Sequence, residues 1–331
     1  MLMRKYIFFI LVLLFVMHGK TDAQVDAHFT QFYAYPQWLN PAFTGAMNGS
    51  YRVSGNYRKQ WPSLSSALLS QGISADISLP RNFGLGVTLF NQKTEDGGYH
   101  YTSGYLSLSY QVHLTQYQIL ASGFQIGFLN RRVDPGNFQF GNQFNPLIGF
   151  DPTIPSNENF TYPTATSLDG SFGLLYFDGD PNHTLNPFLG FSVYHPTEPE
   201  NRFISSSNSN KVPIRYSFHG GFRIHLMDLI DLMPNAIYLS QGGSNEIIAG
   251  LSFDLKIDPY KDLIFGGSYR INDAVAPNVG IHINGLTIGF SYDFNTSQLK
   301  TASTNSGGYE LSISFVNPKK TPVTKFVCPR L

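Results

Sequence analysis

Apolar and polar side chains alternate along most of this chain with a period of two. The stretch "PIRYSFHGGFRIHL" carries Ile214, Tyr216, Phe218, Phe222, Ile224 and Leu226 on one parity, and Arg215, Ser217, His219, Gly221, Arg223 and His225 on the other. Successive side chains of a strand point to opposite faces, so this spacing predicts strands with one apolar and one polar face. "GLTIGFSYDF" repeats the pattern, with Leu286, Ile288, Phe290, Tyr292 and Phe294 opposed to Thr287, Gly289, Ser291 and Asp293. "YELSISF" repeats it again, Tyr309, Leu311, Ile313 and Phe315 facing away from Glu310, Ser312 and Ser314. Further strands are predicted to begin near Tyr51, Ala67, Phe83, Tyr101, Tyr117, Leu168, Leu185, Ala236, Ile247, Leu263 and Val275. The total is about fourteen, several of them near the ~9–11 residues that a tilted strand needs to cross a bilayer.

One-faced strands suit a soluble sandwich or a membrane barrel, and the connections separate the two. Short ones fall at "PRN" (Pro80), "HLTQ" (His113), "DGDPNH" (Asp178), "DPYKD" (Asp258) and "NG" (Asn284). Between them lie long ones: Arg131 to Ala165, Thr197 to Val212 and Asn295 to Gly307. Alternating short turns and long loops predict an all-β fold, a transmembrane antiparallel β-barrel with its apolar face in lipid and its polar face lining the lumen. An even strand count brings both termini to the side of the short turns, the periplasm. Tyr99, Tyr101, Tyr117, Tyr176 and Tyr269 are candidates for the aromatic girdles at the two interfaces. Part of the phenylalanine-rich loop after Arg131 is expected to fold inward over the barrel mouth.

Composition narrows the classes. The formal net charge is zero and only 13% of residues are charged, so no basic surface for nucleic acid is implied. The single cysteine, Cys328, excludes a disulfide framework. At the start, Arg4 and Lys5 precede an apolar stretch from Tyr6 to Met17, shorter than the ~20 residues of a spanning helix. Thr21 and Ala23 fit the small positions before a cleavage site. The expected organisation is a signal peptide (1–23), an amino-terminal segment packed in or under the barrel (24–48), the barrel (49–316) and a short periplasmic tail (317–331). Phe29, Phe32, Tyr33, Tyr35, Trp38 and Phe43 in the second of these require burial, while Pro36 and Pro41 disfavour helix.

The stretch "NPAFTGAMNGSYRVSGNYRKQWPSL" resembles the PorP/SprF family of Bacteroidetes outer-membrane proteins. That family is marked by an asparagine–proline with a nearby glycine, then a first strand running into an arginine and a glutamine–tryptophan pair. The matching residues are Asn40, Pro41, Gly45, Arg58, Gln60 and Trp61. The ending "CPRL", Cys328 to Leu331, is similar to the family's usual ending, although the last residue there is more often aromatic. The resemblance implies a component of type IX secretion. Its partners would be a large secreted adhesin, as in gliding bacteria, the secretion machinery and outer-membrane lipid.

Arg52, Arg58, Arg215, His219, Arg223 and His282 have the parity of lumen or partner-binding residues, and Gln60 and Trp61 follow at the end of the first strand. Arg58 is expected to stack on Trp61 while donating to lumen carboxylates. Asp76, Asp169, Asp254 and Asp293 are candidates for those carboxylates. Catalysis would need two or three such groups to converge, which sequence does not show; a charge-balanced lumen needs only pairing. No phosphate loop, nucleophile elbow or spaced metal-ligand set occurs, so neither catalytic residues nor a cofactor or metal are expected. Cys328, Pro329 and Arg330 are candidates for docking a partner at the tail. The alternative functional class is an outer-membrane channel or transporter for small or hydrophobic solutes, and a barrel hydrolase is the third.

Overall fold

The computed structural model describes residues 26–317 except 65, 146, 158–162, 201–210, 259, 298–302 and 304–305. The expected signal peptide and the tail carrying Cys328, Pro329 and Arg330 lie outside the described residues. The strands run β1 (Tyr51–Gln60), β2 (Leu68–Ser78), β3 (Phe83–Thr94), β4 (Tyr99–His113), β5 (Gln118–Val133), β6 (Phe144–Asn145), β7 (Gly149–Phe150), β8 (Thr164–Asp178) and β9 (Leu185–Tyr194). They continue as β10 (Arg215–Met227), β11 (Ile230–Gln241), β12 (Ser244–Asp258), β13 (Lys261–Arg270), β14 (Ala274–Ile283), β15 (Leu286–Asn295) and β16 (Ser306–Asn317). β6 and β7 form a small hairpin inside one long loop; the other fourteen strands close a single barrel in which β1 pairs with β16. Every barrel pairing is antiparallel. Closure satisfies the backbone groups that an open edge would leave unpaired in lipid.

The period of two sets the two faces. Val53, Ile73, Leu89, Leu106, Phe124, Phe172, Leu189 and Phe218 are exposed on the outside, while Arg52, Ser54, Asn56, Arg58, Ser74 and Asp76 are buried inside. The expected short turns all fall at one mouth and the expected long loops at the other. The two-residue turn Asn284–Gly285 has positive φ at both positions, 50° and 87°, the backbone of a tight hairpin turn that follows the strand twist. β11 begins six residues before its expected start at Ala236, because Pro234 reads as a strand breaker. The β10–β11 ladder is interrupted at that point, between Gly221↔Asn235 and Ile224↔Leu232, which leaves room for a residue without an N–H.

One aromatic expectation is corrected. Tyr101 is 1% exposed and points into the lumen with Tyr105, on the same parity as Ser103 and Ser107, so it is not a girdle residue. The loop phenylalanines pair with one another, Phe138 with Phe140 and Phe144 with Phe150, at centroid distances of 6.2 and 5.8 Å. Phe144, Leu147 and Ile148 are exposed at the hairpin tip, while Phe138 packs against Gly98 of the β3–β4 connection.

Candidate functional site

The lumen is occupied by the chain itself. Residues 26–50 run from the long-loop mouth, where Asp26 meets the ends of β10 and β11, to the short-turn mouth, where β1 begins. Pro36 and Pro41 each start a short helical turn, Pro36–Leu39 and Pro41–Phe43, where a missing N–H costs nothing. Leu39, Ala42, Phe43 and Ala46 pack against Ile119, Leu175, Phe177, Phe188, Ile237 and Ile248 of the wall. Trp38 stacks on Phe90 at 4.3 Å, and Phe29 and Tyr35 complete a second cluster with Tyr101 and Tyr105.

Between Asn40 and Gly45 the fit is steric and directed at backbone. Asn40 Nδ2 donates to the carbonyls of Leu174 (2.8 Å) and Phe191 (3.3 Å), and its Oδ1 accepts from Ala42 N–H (2.9 Å). Gly173 lies against the Asn40 carboxamide so closely that a Cβ would overlap Oδ1. Gly45 has φ 68°, a Cβ there would lie 2.7 Å from Gly84 Cα, and its N–H donates to Asp76 Oδ2 at 2.7 Å. Conformation and space both require glycine. Arg52 completes this knot, donating to Asp76 at 3.0 and 2.9 Å and to the Phe43 carbonyl at 2.9 Å.

Between Asp26 and Gln31 the contacts are mainly ionic, beside Phe29 on Phe90 and the Gln31 carboxamide, which accepts from Ser312 and lies against Gly289. Asp26 Oδ2 lies 2.7 Å from His195 Nε2 and 3.3 Å from Arg215, and its Oδ1 lies 3.5 Å from Arg131. Gln241 both accepts from the Asp26 N–H (3.2 Å) and donates to its carboxylate (3.1 Å). His195 Nδ1 in turn faces Asp169 Oδ2 at 2.7 Å, which also accepts from Tyr105 at 2.6 Å. Burial opposes charge on the His195 imidazole, but Asp26 and Asp169 overcome it and raise its pKa to about 9. Burial likewise opposes ionisation of Asp26, yet His195, Arg215 and Arg131 hold it below the usual carboxylate range. On the other side, Arg58 donates to Asp293 (2.8 Å), the His28 carbonyl (3.0 Å) and Thr30 Oγ1 (3.2 Å). Glu310 accepts the N–H groups of Thr30 and Gln31 at 2.7 and 2.8 Å, and Arg270 reaches Asp293 at 2.7 Å.

The residues expected in the lumen are thus distributed along it. Arg52, Asn40, Pro41 and Gly45 come together, and so, at the other level, do Arg58 and Arg215 with the segment's start. His219 is buried under Phe43, ring centroids 5.6 Å apart, and Arg223 pairs with Asp231 at the short-turn mouth. Arg215 and Arg223 stand roughly 26 Å apart along one strand, at about 3.3 Å per residue, too far to serve one reaction centre. His282 Nδ1 is 2.9 Å from Thr287 Oγ1 beside the Asn284 turn. Gln60 and Trp61 are half-buried at the end of β1. The expected stacking of Arg58 on Trp61 does not occur. Arg58 is drawn inward to Asp293, and the guanidinium–ring contacts among the described residues are Arg131 with Tyr101 and Arg215 with Trp38 and Tyr194.

Asp76, Asp169, Asp254 and Asp293 are all buried, as their parity requires. Asp26 and His195 were beyond the reach of parity because both lie outside strands. Glu310 was legible as inward in "YELSISF", but its partners, 279 and 280 positions away, were not.

The barrel is similar in fold to several solved structures. The Ralstonia pickettii toluene transporter TbuX superposes with a TM-score of 0.52 at 10% identity, over 85% of this chain and 92% of that one. A Pseudomonas aeruginosa FadL homologue gives 0.51 at 10% identity over 88% and 98%. The Pseudomonas putida toluene transporter TodX gives 0.51 at 8% identity over 89% and 98%. At such identities the likeness is one of architecture alone. No curated protein matches the chain. The family model of the type IX secretion system membrane protein PorP/SprF, however, matches residues 21–315, through the Asn40–Pro41–Gly45 knot and all but the end of the last strand. This chain therefore belongs to the PorP/SprF family of type IX secretion system membrane proteins.

Proposed function

We propose that this chain is a non-enzymatic outer-membrane component of type IX secretion that supports export or surface attachment of a large secreted adhesin. In this reading the short turns and the end of β16 face the periplasm and the long loops face outward. The observation that carries it is the occupied lumen: the chain's own residues 26–50 fill the barrel from mouth to mouth and are hydrogen-bonded to its wall. A cavity between segment and wall, lined by Phe32, Trp38, Leu39 and Ile237 among others, has a volume of about 30 Å³, room for water rather than for a solute. Family membership supplies the secretion system, and a closed barrel would act in it through its faces.

Removing the gene should abolish display of the adhesin; unchanged display would overturn the reading. Complementation with a chain ending at Val323, scored separately for heat-modifiable migration and for export, tests the tail. Assembly is expected to survive and export to fail, which would assign Cys328, Pro329 and Arg330 to docking. Tags in the loop between β5 and β8 should label on intact cells. Solute flux through the wild-type barrel in liposomes would favour the channel alternative instead.

A further inference from the structure

Three cations and one side-chain amide converge on Asp26. The arrangement is built rather than incidental: Arg131, Arg215, His195 and Gln241 are at most 7% exposed and come from β5, β10, β11 and the connection after β9. His195 holds a left-handed backbone, φ 58°, a conformation disfavoured for a residue with a Cβ. Its ring is fixed on both sides, by Asp26 and by Asp169, the latter oriented by Tyr105. Gln241 is the informative member. Its two amide atoms bind the carboxylate and the backbone N–H of the same residue, which distinguishes an acidic residue within a peptide from a free anion.

Resting on the reading of this chain as a partner-binding component of secretion, we propose that Arg131, Arg215, His195 and Gln241 form a recognition site for an aspartate or glutamate in an extended segment of a secretion partner. Residues 26–31 are its displaceable internal occupant. Without Asp26, the buried guanidiniums of Arg131 and Arg215 would lose the carboxylate they both reach, and buried charge of that kind is neutralised well only by another carboxylate. Residues 40–45 are seated by contacts of Asn40, Phe43 and Gly45 that do not involve Asp26, so that part can stay in place when the first residues leave; Trp38, which donates to the Ala27 carbonyl and accepts from Arg215 at its own carbonyl, links the two parts. The site also lies at a mouth, where an incoming segment need not traverse the lumen.

The test uses the full mature chain in detergent with Asp26→Ala, and a fluorescent peptide of residues 24–33, QVDAHFTQFY, beside its counterpart with asparagine for aspartate. Because self-occupancy lowers apparent affinity, the variant should bind the aspartate peptide at least about tenfold more tightly than wild type. The asparagine peptide should not bind, and adding Arg215→Met should abolish binding. A heat-modifiable, folded variant that binds both peptides alike, or neither, overturns the proposal. Should Asp26→Ala not assemble, the otherwise wild-type chain with Ala27→Cys and Cys328→Ser replaces it. Excess aspartate peptide should then speed thiol labelling at position 27, and an unchanged rate overturns the proposal. Peptide binding alongside normal adhesin display in the gene deletion would sink the secretion reading and keep the site; lost display without peptide binding would do the reverse.

Discussion

Between Asp26 and Gln31 the threaded segment meets the barrel mainly through charge, whereas between Asn40 and Gly45 it meets it mainly through shape. The first stretch presents carboxylate and backbone groups to Arg58, Arg131, Arg215, His195 and Glu310. The second presents a carboxamide, a proline turn and a glycine to wall glycines and carbonyls, with one ion pair, Arg52–Asp76, at its end. Charged contacts tolerate small displacements, because Coulomb attraction falls slowly with distance, and they can be exchanged for equivalent charges on another molecule. Close steric contacts permit neither. One segment can therefore be both anchored and releasable.

Removing a charge from the ionic half should have the largest effect. Arg58→Met leaves Asp293 with Arg270 alone and strips Glu310 of its nearest cation, a loss of about 3–5 kcal/mol. Urea unfolding of the detergent-solubilised barrel should show it, and Asp293→Asn in the same chain should restore a large part. If Arg58→Met unfolds at the wild-type midpoint, the ionic half is not a fastening at all.

Changing pH acts on the same half by another route. The folded pKa of His195, about 9, lies above its ordinary 6.5, so the proton's contribution is complete below about pH 6.5 and disappears as pH rises through about 9. Its size is on the order of 3 kcal/mol. Asp26, held below the carboxylate range, has the opposite sign: its contribution persists at neutral pH and is lost only in strong acid. Unfolding midpoints should thus decline on the alkaline side in wild type and stay flat there in His195→Gln. An equal decline in both would assign the pH dependence elsewhere.

Substitutions in the steric half should cost less and be indifferent to pH. Gly173→Ala forces a methyl onto the Asn40 carboxamide, an overpacking penalty of about 1–3 kcal/mol. Asn40→Ala removes that clash together with the carboxamide's hydrogen bonds to the Leu174 and Phe191 carbonyls, a loss of about 0.5–1.5 kcal/mol. Because the two changes act on one contact, the double variant should fall short of their sum. Strict additivity would show that the contact is not shared. The smallest effect belongs to Trp61→Ala, outside both halves. The half-buried indole there has lost its expected guanidinium, so the change should stay near ~0.5 kcal/mol, and a loss of several kcal/mol would reveal an anchor not visible in the fold.

Sequence alone determined the barrel and its faces, because a strand's side-chain period is fixed by backbone geometry and each strand can be read without knowing its neighbours. The inward placement of Arg52, Arg58, Arg215 and Asp293 follows from parity in the same way, and so do the mouths, from loop length. Asn40, Pro41 and Gly45 were legible as a motif, though nothing in their spacing said that Gly173 and Gly84 would be their counterparts. Tertiary structure alone decided what fills the lumen. Asp26 and His195 sit 169 positions apart on irregular backbone, where no periodicity constrains direction. Arg58 could satisfy its charge on a neighbouring ring or on distant carboxylates, and closure of β1 onto β16 brought Glu310 and Asp293 within reach. Buried charges select partners by distance and desolvation, quantities that exist only once the strands have closed around them.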